Sequence, residues 1–178
     1  MIDIDKLFIK HYYHPSCVPF MNICRLPQKQ AFELAHKMAE ENYGSEPFWR
    51  FADFENYYPG RMEVDNHLYN SFVSLGGKPK ENHPIFFVLH ESKSLEKWFG
   101  DWNVVEIKLQ DIPSEHISFT LHDSMRAFRE NGKVCMHTKE TLSHVLKQYG
   151  TIEDYMSELT EKYYCIEAQL WNDDYCIE

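Results

Sequence analysis

The stretch that decides the fold lies near the C-terminus and reads YYCIEAQLW (163–171). Alternate residues of a β-strand point to opposite sides of a sheet. One side of this stretch is apolar and consists of Tyr164, Ile166, Ala168 and Leu170. The other side is mixed and consists of Cys165, Glu167, Gln169 and Trp171. The alternation therefore predicts a two-faced strand with Glu167 on its polar side.

Three stretches upstream also have strand patterns. VVEIKL (104–109) is apolar on one side, at Val105, Ile107 and Leu109, and carries Glu106 and Lys108 on the other. HISFTL (116–121) is apolar at Ile117, Phe119 and Leu121, opposite His116, Ser118 and Thr120. IFFVL (85–89) is apolar throughout, which is typical of a strand buried on both faces. If these strands are neighbours in a sheet, their polar side chains share one surface.

Apolar residues with helical spacing occur along the chain before, between and after these strands. One helix is predicted over 28–41, and a second from Pro59 to Gly76, since proline suits a first helical turn and glycine a helix end. The second helix is expected to turn these residues inward: Met62, Leu68, Tyr69, Phe72 and Leu75. Further helices are predicted at 94–100, 123–128, 139–149 and 152–162, with Asp123 as a cap and a capping box at Thr151 and Asp154.

The chain has no internal repeat and no linker, so we predict a single domain over 1–178. Helical patterns occupy both ends, and strand patterns occupy the middle and the terminus. This order favours an α+β fold, in which a mixed or antiparallel sheet has its helices packed mainly on one face.

Charge and composition restrict the partners. The formal net charge is −10, and the segment 151–178 holds eight acids against the single base Lys162. Such a field repels nucleic-acid phosphates and anionic lipids, which disfavours nucleic acid as a partner. The longest uncharged apolar run, 85–89, is too short to span a membrane. A nucleotide bound in a local pocket or a basic protein partner remains compatible with this charge.

The cysteine pattern and the first residues of the chain bear on its cellular compartment. The five cysteines are an odd number and form no CxxC pair, a pattern that fits reduced thiols. The chain opens with MIDIDKLF, which lacks the apolar core of a secretory signal. We therefore expect a cytoplasmic protein.

Two explanations are open for the polar side of the strands. If the strands are neighbours, Glu167 and Gln169 lie beside Ser118, Thr120 and His116. A carboxylate beside hydroxyl groups is suited to orienting a ribose and to stabilising positive charge at a sugar carbon. The alternative is a solvated surface, because antiparallel sheets commonly leave one polar face in water.

The segment FWRFADFENYYPGRM (48–62) interleaves aromatic rings with Arg50 and Arg61. Rings such as Trp49 together with guanidinium groups can hold a planar base and a phosphate. The same residue types are enriched at protein interfaces. Core packing is the third explanation, since aromatic residues in a connecting segment often close over the core.

The segment HYYHPSC (11–17) contains two histidines, His11 and His14. The ten histidines of the chain form no HExxH motif and no Cys/His knuckle, so no metal site is expected. The chain also lacks GxxxxGK[ST], GxGxxG and GxSxG, which argues against phosphate-loop, dinucleotide-fold and esterase chemistry.

The order of an N-terminal His/Tyr element, a hydroxyl-bearing middle strand and a late strand with Glu resembles the ADP-ribosyltransferase-like superfamily. The resemblance implies NAD as cofactor or substrate and cleavage of its glycosidic bond. It implies that His11 or His14 contacts the nicotinamide-side ribose, that Ser118 or Thr120 takes the middle role, and that Glu167 is catalytic. Nucleotide contacts are then expected from Trp49, Arg50, Arg61 and Gln169.

The chain is also similar to small acidic proteins of bacteria and their phages, a resemblance that implies no chemistry. The alternative function is a non-enzymatic acidic inhibitor or immunity-type protein that covers a basic site on a partner. Residues 48–58 would then supply aromatic anchors, and Asp173, Asp174 and Glu178 would steer the association.

Overall fold

The structure is a computed structural model that describes residues 2–100, 102–162 and 165–176. Tyr164 and Glu178 lie outside these described residues. Within them, six strands form one antiparallel sheet. The strands are β1 Phe8–Tyr13, β2 Ile85–Leu89, β3 Asn103–Lys108, β4 Ile117–Leu121, β5 Met136–His137 and β6 Ile166–Leu170. Their order across the sheet is β3-β1-β2-β6-β4-β5, so the late strand β6 is central.

Seven α-helices occur in the described part of the chain. They are α1 Gln28–Glu41, α2 Trp49–Ala52, α3 Phe54–Ser74, α4 Lys93–Phe99, α5 Ser124–Asn131, α6 Lys139–Leu146 and α7 Ile152–Lys162. The predicted α+β class is confirmed, and the sheet is the antiparallel alternative. Both predicted caps are present: Asp123 accepts from the backbone of Arg126, and Thr151 and Asp154 exchange hydrogen bonds.

The main apolar core lies on the side of β6 that the alternation predicts to be apolar. Ile166, Ala168 and Leu170 are fully buried there, together with alternate residues of β2 and β4. Leu142 and Leu146 of α6 and Ile152 and Tyr155 of α7 complete this layer. Burying apolar surface on this scale is the main free-energy gain of folding.

The opposite side of the sheet is also covered by helices. Helix α3 packs Leu68 and Phe72 over the sheet, and the ring of Phe72 stacks on Trp171 of the segment after β6, with 5.6 Å between ring centroids. Helix α5 packs against α3 in the same layer. Helices α1 and α2 in turn pack on α3 around the fully buried Phe54. The polar side of the central strands therefore faces a second protein layer.

Helix α3 begins at Phe54, five residues before the start predicted at Pro59. A proline inside a helix removes one backbone hydrogen bond. The burial of Phe54 against α1 offsets that loss, because a fully buried Phe contributes roughly 1.5–3 kcal/mol. Of the side chains predicted to face inward, Leu68 and Phe72 are buried, whereas Leu75 is exposed because it lies just beyond the helix.

None of the described helices is both long and apolar enough to cross a membrane. The five cysteines are free thiols, and two of them, Cys24 and Cys165, are buried. Burial raises the pKa of the Cys24 thiol to about 12, so this cysteine is a neutral core residue at physiological pH.

A pair of glycines on α3 and just beyond it tests this arrangement. A Cβ on Gly77 would lie 2.5 Å from the ring of Phe72, whereas a Cβ on Gly60 meets only Met125 at 3.6 Å. We expect Gly77→Ala to lower the free energy of unfolding by about 1–3 kcal/mol, because the buried ring must move. We expect Gly60→Ala to raise it by about 0.5–1 kcal/mol, since alanine favours a helix interior. Urea unfolding measures both changes, and equal effects of the two substitutions would contradict the described position of Phe72.

Candidate functional site

Glu167 lies at the middle of the sheet, on the polar side of β6. The register places it between Val88 of β2 and Thr120 of β4. Its Oε1 accepts a hydrogen bond from Gln169 Nε2 at 2.8 Å, and its Oε2 accepts one from the backbone N–H of Ser124 at 3.3 Å. Only 8% of the residue is exposed. The carboxyl group is therefore held in place under protein and is not part of a solvated surface.

The neighbours of Glu167 form a buried hydrogen-bond network. Gln169 Oε1 accepts from Ser118 Oγ at 2.9 Å, and Gln169 Nε2 also donates to Thr120 Oγ1 at 3.0 Å. Ser118 Oγ accepts in turn from Trp171 Nε1 at 2.9 Å, and Thr120 Oγ1 donates to the carbonyl of His122 at 3.1 Å. Each hydroxyl is thus committed as donor and as acceptor. Ser118 and Thr120 orient Gln169, and Gln169 orients the carboxyl of Glu167.

A buried ionic cluster on α3 stands beside this network. Arg61 Nη2 lies 2.5 Å from Asp65 Oδ1, and both side chains are almost fully buried. Asp65 Oδ2 lies 2.7 Å from His83 Nδ1, which must carry the proton because an ionised carboxylate only accepts. The guanidinium of Arg61 also lies 3.4 Å from Ser124 Oγ and 4.5 Å from the ring centroid of Phe86. Arg61 is therefore a fixed positive charge close to Glu167.

The residues around Glu167 shift its pKa. The pKa of Glu167 is raised from 4.5 to about 7, mainly by burial and also by the nearby charge of Asp123. The positive charge of Arg61 and the hydrogen bonds from Ser124 and Gln169 act in the opposite direction. A carboxyl group that titrates near neutral pH is suited to proton transfer or to charge stabilisation.

The loop between β4 and α5 adds backbone strain next to this carboxyl. His122 has a φ of 98°, in the left-handed region that favours glycine. Its backbone N–H donates to the carbonyl of Cys165 at 2.9 Å, which ties the loop to the start of β6. Strained residues of this kind concentrate at functional sites. The loop also places Asp123 and Ser124 beside Glu167.

A series of side chains on α2 and α3 leads from Arg61 to the surface. The charges of both Arg50 and Arg61 act on the phenol of Tyr57, whose pKa is raised mainly by burial. The ring of Trp49 lies 6.4 Å from that of Tyr57, and Trp49 is 52% exposed. Arg50 stacks over the ring of Phe51. Two guanidinium groups and two aromatic rings are thus neighbours on α2 and α3.

Some of the predicted site residues lie elsewhere. The ring of His11 packs on Phe87, on the face of the sheet opposite Glu167, and its Nδ1 donates to the carbonyl of Phe86 at 2.9 Å. The ring of His14 contacts Phe48 and Trp102 edge-on. His116 Nδ1 accepts from Tyr175 Oη at 2.8 Å. The structure therefore brings Ser118, Thr120, Gln169 and Arg61 to Glu167, but not these three histidines.

The aromatic and acidic residues that were predicted to bind a protein partner mostly make contacts within the chain itself. In the segment 48–58, Phe48 and Phe54 are buried in the core, and Trp49 is the large exposed ring. Asp173 pairs with Arg25 at 2.6 Å, and Asp174 pairs with Lys80 at 2.5 Å. These two acids therefore fasten the C-terminal segment to the domain, which weakens the case for them as steering charges.

The residues of the site differ in how clearly the sequence indicates them. Asp65 follows Arg61 by four residues, a spacing that places both on one face of a helix, so this pair was detectable. His83 and Ser124 come from loop and helix-start positions that only the tertiary fold brings together. No group of three or more His, Cys, Asp or Glu side chains suited to a metal ion occurs among the described residues.

Comparison of the chain with protein-family models, with curated proteins and with solved structures finds no match. The site is therefore interpreted from its own geometry.

Removing the charge of Asp65 tests the ionic cluster. We expect Asp65→Asn to lower the free energy of unfolding by about 3–5 kcal/mol, because it leaves Arg61 charged and buried without its partner. The double variant Arg61→Met with Asp65→Leu is the control and is expected to lose clearly less, since no unpaired charge remains. Urea unfolding of both proteins at pH 7 measures the difference. A double variant less stable than Asp65→Asn would contradict this account.

The raised pKa of Glu167 predicts a pH-dependent stability. The folded protein holds a proton on Glu167 up to about pH 7, whereas the unfolded chain releases it near 4.5. Stability from this group is therefore full below pH 4.5 and is lost as the pH rises to 7, by about 3 kcal/mol in total. Glu167→Gln removes this titration. We expect the variant to gain stability relative to wild type between pH 5 and pH 8, and parallel curves in urea unfolding would contradict the shift.

Proposed function

We propose that the chain binds NAD or a related nucleotide and cleaves its glycosidic bond, in the manner of ADP-ribosyltransferase-like proteins. The observation that supports this proposal is the position of Glu167. It is a buried carboxyl with a pKa of about 7, oriented by Gln169 and Ser124 next to the guanidinium of Arg61.

Glu167 stabilises the positive charge that develops at the sugar carbon when the glycosidic bond breaks and nicotinamide leaves with the bonding electron pair. This role requires the ionised carboxylate. The oxygen of a water molecule then bonds to this carbon, and the water releases a proton to solvent. Gln169 holds one carboxyl oxygen at 2.8 Å, so the group is already oriented before the ligand binds. Ser118 and Thr120 do not touch the ligand in this scheme and act as positioning residues through Gln169.

The nucleotide approaches along α2 and α3. In this proposal Arg50 neutralises the diphosphate, since guanidinium groups form paired hydrogen bonds with phosphate oxygens. The buried Arg61 is already paired with Asp65 and contributes only its positive charge beside Glu167. The exposed ring of Trp49 and the adjacent ring of Tyr57 offer stacking faces for a base. His11 has no role in this scheme, since its ring lies on the face of the sheet opposite Glu167. His14 also has none, since its ring packs against Phe48 and Trp102.

The test measures nicotinamide release from NAD by liquid chromatography and NAD binding by thermal shift. We expect saturable stabilisation of wild type, about 1–3 kcal/mol at 10–100 times the dissociation constant. We expect nicotinamide release to increase roughly tenfold between pH 6 and pH 8, as Glu167 ionises around its pKa of about 7.

Two glutamate variants separate chemistry from binding. Glu167→Gln keeps the shape of the side chain but not its charge, so we expect it to bind NAD and to release nicotinamide at least about 100-fold more slowly. Glu63→Gln makes the same change on the exposed face of α3 and is expected to match wild type. If neither NAD nor ADP-ribose stabilises wild type and no nicotinamide is released, the proposal is wrong.

A further inference from the structure

Strand β3 forms one edge of the sheet, and its outer side has no neighbouring strand among the described residues. All six of its residues are in register with β1. The backbone N–H of Leu109 bonds to the carbonyl of Leu7, and bonding alternates along an antiparallel pair. The N–H and C=O groups of Val104, Glu106 and Lys108 therefore point outward, away from β1.

This edge is regular, whereas natural proteins usually blunt an edge strand. The sequence NVVEIK contains no proline and no glycine, and the register with β1 has no bulge. The opposite edge strand, β5, is only two residues long. A six-residue edge with three outward-facing residues is a template for a further strand.

One side of the edge presents apolar rings and carboxylates. Val104 is 43% exposed and pairs with Tyr12, whose ring stacks on Phe99. Phe99 in turn stacks on Trp98, which is 41% exposed. The buried Lys10 lies 3.3–3.6 Å from three partly exposed carboxylates, which belong to Glu91, Glu96 and Glu106. The exposed Lys108 lies on this same side of β3. Three carboxylates against Lys10 and Lys108 leave a small excess of negative charge beside the edge.

The edge also borders a hollow of about 500 Å³. Its lining consists of Glu106, Ile107, Lys108, Asp111 and Tyr175. An added strand points its side chains alternately to the two sides of the sheet. Alternate residues of such a strand would therefore lie beside Val104 and the carboxylates, and the residues between them would lie beside Ile107.

We propose that the outer edge of β3 binds an extended, basic polypeptide segment of a partner protein as an additional strand. Backbone hydrogen bonds to Val104, Glu106 and Lys108 supply the affinity in this mode, and alternate side chains supply the specificity. Lys or Arg residues of the partner meet Glu96 and Glu106. A second copy of this chain suits the edge less well, because pairing two β3 strands brings the same carboxylates together in a chain of net charge −10.

The probe is a fluorescein-labelled peptide of eight alternating lysine and valine residues, measured by fluorescence anisotropy with the full chain. We expect saturable binding that weakens with salt. The same peptide with N-methyl groups on alternate backbone nitrogens keeps its charge but loses its strand hydrogen bonds, and is expected to bind at least tenfold more weakly. Equal binding of the two peptides would overturn the proposal, since it would show attraction by charge alone.

Variants of the chain locate the binding. Val104→Pro removes an outward N–H without removing a bond to β1, and is expected to weaken binding at least tenfold while circular dichroism stays unchanged. If that variant unfolds, Val104→Lys is measured instead. Its added positive charge repels the basic peptide, so we expect a similar loss of binding. Glu106→Gln is expected to weaken binding several-fold, whereas Glu33→Gln on α1, an equal charge change far from β3, is expected to have no effect.

Two results would count against the basic partner. Equal losses in Glu106→Gln and Glu33→Gln would show that overall acidity, and not this edge, attracts the peptide. A concentration-dependent dimer in sedimentation velocity that Val104→Lys dissociates would assign the edge to a second copy of the chain.

Discussion

The site depends on the ion pair between Arg61 and Asp65 of α3. Removing a charge from water costs several kcal/mol, and a buried pair tolerates this only when good geometry and further hydrogen bonds compensate for it. Here His83 and Ser124 supply those additional contacts. Because this compensation is local, α3 can lie against the polar side of the sheet. Helix α3 then covers Glu167 and excludes water from it, and this burial is the main cause of the raised pKa of Glu167.

The network under α3 explains why the polar residues of β4 and β6 are compatible with burial. A buried polar group without a partner is costly, so a partly satisfied network destabilises a core. In this network both hydrogens of the Gln169 amide are used, one by Glu167 and one by Thr120. Its carbonyl accepts from Ser118, and Ser118 also accepts from Trp171. The one adjustable member is Glu167, which can gain or lose a proton near neutral pH without leaving its place.

The alternation in 163–171 predicted which residues of β6 share a side, and that part of the fold is confirmed. It could not predict whether the polar side faces water, because alternation describes one strand and not what lies over it. The same limit applies to His11. The sequence of β1 does not say whether His11 and Glu167 lie on the same face of the sheet, because this depends on the register of β1 with β2. Local signals such as the Asp123 cap, in contrast, depend on neighbouring residues and were predicted correctly.

The proposed catalytic carboxyl and the free sheet edge lie in one row of residues across the sheet. Glu106, Lys10, Val88 and Glu167 are successive partners across β3, β1, β2 and β6. The charges that shift the pKa of Glu167 are those of Asp123 and Arg61, whereas the ammonium group of Lys10 is compensated locally by Glu91, Glu96 and Glu106. A basic segment that pairs with Glu106 therefore acts on the local cluster around Lys10, and the ionisation of Glu167 depends on α3 and on the loop between β4 and α5.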